Sequence, residues 1–337
     1  MKPPNALLAA RGVFLRPGRL RVAAAATVRL CLPMLSRRLL VLALTFGLTA
    51  LSLEAKPLIG GPKSVTVGAD GTIPGSVASA QMGMGGYVSG VKQVAVPLIA
   101  VAFETSADAR STHGGHDAIT TKSMSLKLSV DDSVLKAICA ELQAMVEKDL
   151  TAQGFSILPK ESIDTEARWV GIKKDAKTGE DVKDNFMSGF MGNGSMNRWF
   201  TAGDRPLFGT GAQGPLSETS ALIRTAREKK ISLLLYRFKI QFTDLESGNN
   251  LVFNYVKGKN VLHILSADVS VFTPEHTQGS IIKLSADVTA GADFVQELQG
   301  TKGKYVVVAS PEHYKADSLT LLSAVSKQFA QAIRKAQ

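Results

Sequence analysis

Two runs of apolar residues limit the fold more than anything else in the chain. VAVPLIAVAFET at 94–105 is of strand length and apolar along almost its whole course, and ISLLLYRFKIQF at 231–242 is the strongest strand signal in the sequence. The first, without polar alternation, reads as a strand buried on both faces, which requires further elements packed over each side. The chain must therefore build a central sheet and supply the helices that cover it.

Those helices are legible. Asp131, Asp132 and Ser133 offer N-cap oxygens to a helix over 132–153, in which Leu135, Ile138, Leu142, Met145, Val146 and Leu150 recur at helical spacing before Gly154 closes it. FSILP then makes a short strand, completing a strand, helix, strand unit. Ser217 can cap a second helix over 217–229, whose basic end suits a helix C-terminus. A third runs over 317–335 with Leu319, Leu322, Val325, Phe329 and Ile333 on one side. DLESGNN turns the chain into LVFNYV, after which VLHILSADVSVF and SIIKLSADVTAG, joined through TPEHTQG, read as an antiparallel hairpin. Their shared LSADV, at 265–269 and 284–288, marks two hairpin arms and not a repeat architecture. KYVVVAS adds a short strand. The expected class is α/β (α+β): a central mixed sheet with three main helices, an antiparallel hairpin near the C-terminus and a long Gly-rich insertion at 166–215, in one domain over 93–337.

The N-terminal region reads differently. Arg37 and Arg38 precede LLVLALTFGLTALSL, a predominantly apolar run of 15 residues that ends near Ala55. This is the pattern of a Sec-type signal peptide cleaved after Ala55, since a permanent anchor needs about 20 apolar residues. Met34 would open a leader of ordinary proportions, so residues 1–33 read as a misassigned start. The net charge of +10 is misleading for the same reason: residues 1–55 hold eight Lys or Arg and one acid, and the remainder, 31 basic and 28 acidic, carries only +3. A nearly neutral body excludes a strong phosphate-binding footprint, and the dispersed Lys173, Lys174, Lys229, Lys230, Lys257 and Lys259 suit solvated turns rather than nucleic acid. Residues 56–92 contain nine glycines and neither period, which reads as a flexible arm. Its MGMGGYVSG lacks the GK[ST] of a phosphate loop.

VPLIAVAFE at 96–104, LQAMVEKDLTAQGFSILPKESI at 142–163 and SALIRTAREKKISLLLYRFKI at 220–240 follow one another in an order that carries a likeness. This layout resembles the α/β domain of the curli-secretion lipoprotein family, the TolB N-terminal domain and the lipoprotein activators of penicillin-binding proteins. The resemblance covers about 93–337. It implies a non-enzymatic envelope protein that binds a partner or forms a homo-oligomer, and it carries no catalytic residues across. Two departures are plain: the chain has no lipobox Cys, and the insertion exceeds what the pattern requires.

The insertion holds one candidate surface. In NFMSGFMGNGSMNRWF, Phe186, Met187, Phe190, Met191, Met196, Trp199 and Phe200 are interleaved with glycines where secondary-structure signals are weak. Met and aromatic side chains on an adaptable loop suit a partner surface, or contact with a membrane interface, though such a segment more commonly folds back to cover a sheet edge.

Catalytic signals are sparse. STHGGHDA supplies His113, His116 and Asp117 within five residues, a ligand set suited to zinc if His276 or His313 completed it, though such a loop is more commonly a solvated turn. The PEH triplets at 274–276 and 311–313 fall where strands end. No G-x-S-x-G occurs. Cys139 lies on an apolar helix face, without the cationic or N-terminal setting that activates a thiol. The expected function is an exported periplasmic or extracellular protein that binds an envelope protein or itself. The alternative is a metal-dependent hydrolase using the His113 loop.

Overall fold

A computed structural model of the protein describes residues 64–80, 88–114, 119–159, 161–164, 178–183, 194–203, 205, 207–208, 218–249 and 254–337. The expected leader at 1–55 and most of the Gly-rich insertion lie outside them. In chain order the elements are β1 (Ser64–Thr66), β2 (Ala78–Ala80), β3 (Gln93–Gly114), β4 (Ile119–Ser129), α1 (Asp132–Ala152), β5 (Ser156–Ile157) and α2 (Glu161–Asp164). There follow β6 (Asp181–Lys183), β7 (Gly194–Thr201), α3 (Thr219–Lys229), β8 (Ser232–Asn249), β9 (Asn254–Phe272), β10 (Ser280–Leu284), β11 (Asp287–Thr289), β12 (Val295–Thr301), β13 (Lys304–Ala309) and α4 (Pro311–Lys335).

The strands form one mixed sheet whose main path runs β1-β11-β9-β8-β3-β4-β13-β12. β3 is central, parallel to β8 and β5 and antiparallel to β4 and β7. Its apolar run is covered on both sides, as continuous apolarity requires. Val94, Val101 and Phe103 join the larger core with Leu135, Leu142 and Val146 of α1 and Leu322 and Phe329 of α4. Ala95, Leu98 and Ala100 face a smaller cluster with Leu222, Ile223 and Ala226 of α3. Tyr236 and Phe238 stack at 6.1 Å, and Phe329 meets both at 6.2 and 6.1 Å, pinning α4 to the sheet. Each such buried ring contributes about 1.5–3 kcal/mol by leaving water.

The predicted α/β class, mixed sheet, three main helices and β9–β10 hairpin are all present, with several corrections. Part of the expected flexible arm is packed: β1 pairs with β11 and β2 with β10, while Ile73, Val77, Val88 and Val91 are buried. The Gln328 amide of α4 fastens it by accepting from Val77 N and donating to Gly75 O. Three-residue strands set between turns are too short to reveal a period. α4 starts at Pro311 rather than near Asp317, because Pro at the first helical position has no N–H to lose and its φ suits the helix. The second PEH triplet is therefore a helix opening. Glu218, not Ser217, stands at the N-cap of α3, and Asp131 caps α1 by position without a side-chain bond. Gly154 does end α1, at φ +84°. β9 is one strand from Asn254 through the whole of VLHILSADVSVF, whereas SIIKLSADVTAG divides into β10 and β11 around Ser285 and Ala286.

Candidate functional site

The two candidates read from the sequence separate in the fold. His113 lies near the far end of β3, opposite Thr120 of β4, while His116 and Asp117 lie outside the described residues. The histidines that might have completed a metal site are engaged elsewhere. His276 Nε2 is 3.0 Å from Ser89 Oγ, and His313 Nδ1 donates to Asp293 O at 3.0 Å. Among the described residues no group of three or more His, Cys, Asp or Glu is placed to hold a metal ion.

Of the insertion, Phe186, Met187, Phe190 and Met191 lie outside the described residues. Met196, Trp199 and Phe200 do not sit on a loop: they belong to β7, which pairs with β3 and β6. Alternation sends Phe200 into the larger core, 2% exposed and edge-on to Phe103 at 6.2 Å, and Trp199 to the smaller one. Met196 and Trp199 are half-buried. Arg198 anchors the strand, reaching Asp132 at the start of α1 (2.5 Å) and Asp181 of β6 (2.9 Å). Phe200 is thus a core residue and offers no surface to a partner.

A buried polar network occupies the point where β3 changes neighbours. Through Phe103 it pairs with Ile240 of β8, and from Ser106 onward with Lys127 of β4, while β7 follows its other edge past both. Glu104, 2% exposed, fills the resulting fork. Its Oε1 accepts from Gln241 Nε2 at 3.0 Å and its Oε2 from Phe242 N at 3.3 Å. Burial outweighs these bonds and the nearby Lys239 and His263, and holds the carboxyl up at about 7. His263, 4% exposed, stands between two acceptors, Asp287 (3.0 Å from Nδ1) and the Thr243 carbonyl (3.2 Å from Nε2). Only an imidazolium can donate to both. Burial pulls its pKa down, but the bond to Asp287, that carboxylate's charge, Thr243 and Glu104 together raise it. Sequence reading had no means of finding this network, because its members stand far apart in the chain and no spacing links them. It can store a proton near neutral pH. A depression of about 350 Å³ lies between α1 and α4 beside Lys148, Asp149, Lys327 and Gln331. Cys139 is buried, and burial pushes its thiol pKa up, so it stays protonated and inert.

The remaining feature is an edge that sequence analysis overlooked. VQELQGT forms β12, a strand bonded to β13 on one side and, among the described residues, to nothing on the other. Residues 296–301 are all exposed, and Leu298, at 50%, is one of two large apolar side chains standing in water among the described residues. A single Leu among polar neighbours gives no strand pattern. The available signal was the turn: Lys302 and Gly303 take φ of 56° and 81°, the two left-handed positions of a tight hairpin, and Lys-Gly between KYVVVA and a polar run hints at it. A bulge between Val295 and Glu297 bends the strand at its start and leaves the rest regular.

Among the described residues no helix is long and apolar enough to cross a membrane. No family model matches the chain, and no curated protein matches its sequence.

Proposed function

We propose that this chain is an exported cell-envelope protein that works by protein–protein contact, in binding or assembly, and not by catalysis. The observation that carries the reading is β12. Natural sheets blunt an open edge with Lys, Pro or a covering element, because unpaired N–H and C=O groups are a template for another strand. β12 contains neither Lys nor Pro; its one charge is Glu297, its bulge is confined to the start of the strand, and beyond it an exposed Leu stands on a regular edge. The export half of the reading rests on Arg37, Arg38 and the apolar run after them.

The test is photo-crosslinking in cells producing the full chain, with a photoreactive residue at position 298 and a control at Lys136 on the exposed face of α1. Protein adducts are expected at 298 and not at 136, on a chain whose N-terminus is Lys56. Absence of adducts at 298, or a chain that keeps residues 1–55 and stays in the cytoplasm, would sink the reading.

A further inference from the structure

Resting on the contact role just assigned to β12, we infer that its partner is the β12 of a second copy of this chain, paired antiparallel about Leu298. The charge pattern selects that register. Two copies joined by a two-fold axis through the sheet must place one residue opposite itself, and each choice of centre sets every other pair. Glu297 is the only ionised side chain in 295–301. Centring on Glu297 would set two carboxylates face to face at about 5 Å, which is repulsive. Centring on Gln299 would leave Leu298 opposite Gly300, with no side chain to cover it.

Centring on Leu298 resolves both conflicts. The two leucines cover each other, and each Glu297 faces a Gln299 amide. Within one chain Gln299 Nε2 already donates to Glu297 Oε2 at 2.8 Å, so the amides and carboxylates of two copies form a closed square of donors and acceptors. The same register brings the Lys302 turn of each copy alongside the exposed Asp293 of the other, a second match of opposite charge. Val295 and the bulge beside it fall at the end of the paired stretch, where loss of regular bonding matters least. The result continues the sheet from one copy into the next through β12.

Disulfide trapping tests the register in the full chain recovered from an exported fraction. Residues directly opposite in an antiparallel pair have Cα atoms about 4.5 or 5.5 Å apart, and both spacings accept a disulfide. Leu298→Cys should oxidise to a covalent dimer on a non-reducing gel. Thr301→Cys, whose two copies would lie about 20 Å apart at 3.3 Å per residue, should stay monomeric. Cys139 is buried and gives no background. Leu298→Lys should weaken self-association in sedimentation at least tenfold, with the melting transition of the variant equal to the wild type's at concentrations low enough that both are monomeric. Dimers from both cysteine variants, or from neither, overturn the inference. In the photo-crosslinking above, adducts of doubled chain mass support it. Adducts only to a different protein overturn the second copy while leaving the contact reading intact, and no adducts at all overturn both.

Discussion

Replacing Glu104 by Gln should remove the part of the fold's pH sensitivity above 5 that this carboxyl carries. The carboxyl titrates near 4.5 when unfolded and about 7 in the fold, so the folded state holds the proton more tightly. Its effect on stability is absent below the unfolded value, grows as pH rises toward the folded one, and is complete above it. At about 1.4 kcal/mol per pH unit between the two values, ionised Glu104 costs the fold about 3 kcal/mol at pH 8, of which about 2.5 kcal/mol accrues above pH 5. The amide is the same size and can still accept from Phe242 N. Its NH₂ would face Gln241, whose Oε1 is buried without a partner and can turn to accept it. Urea unfolding at pH 5, 6, 7 and 8 reads the difference. Glu104→Gln should lie within about 1 kcal/mol of the wild type at pH 5 and exceed it by about 2.5 kcal/mol more at pH 8. Parallel profiles, or a variant equally destabilised at every pH, would refute the reasoning that burial and not the hydrogen bonds decides the state of this carboxyl.

His263→Leu should cost about 3 kcal/mol at pH 6, because it strips Asp287 and the Thr243 carbonyl of their shared donor. The cost should shrink as pH rises through the elevated imidazole pKa and the wild type loses its cation; urea titrations at pH 6 and pH 9 check this. Phe200→Ala should lower stability by about 3–5 kcal/mol, and Trp199→Ala by less, since only Phe200 is fully buried. Equal small losses in calorimetry would mean that β7 is not packed as described. Cys139 should resist a thiol reagent in buffer and react fully in urea, and rapid labelling of the native protein would contradict its burial.

What the amino-acid order settles by itself is local and periodic. The continuous apolarity of 94–105 demanded a strand with two covered faces, and the spacing of Leu135, Leu142 and Val146, with Gly154 behind it, defined α1. Such signals survive because each is carried by neighbouring residues along one face. The rest depends on what the sheet brings together. Residues 64–80 show no period, yet are held by β10, β11 and Gln328 from more than 200 positions away. Phe200 looked like a partner surface because its neighbours are glycines and methionines, and pairing with β3 turned it inward. Glu104, Gln241, His263 and Asp287 have ordinary local contexts, and only the sheet brings the Glu104–Gln241 and His263–Asp287 pairs within reach of each other's charge. β12 is the converse case: a polar segment becomes a strand because β13 offers it an edge, and its own outer edge is open because the described sheet ends there. Side-chain patterning records which face a residue must hide, whereas the order of strands in a sheet is decided by contacts between distant segments, so the sequence carries the first and only tertiary structure the second.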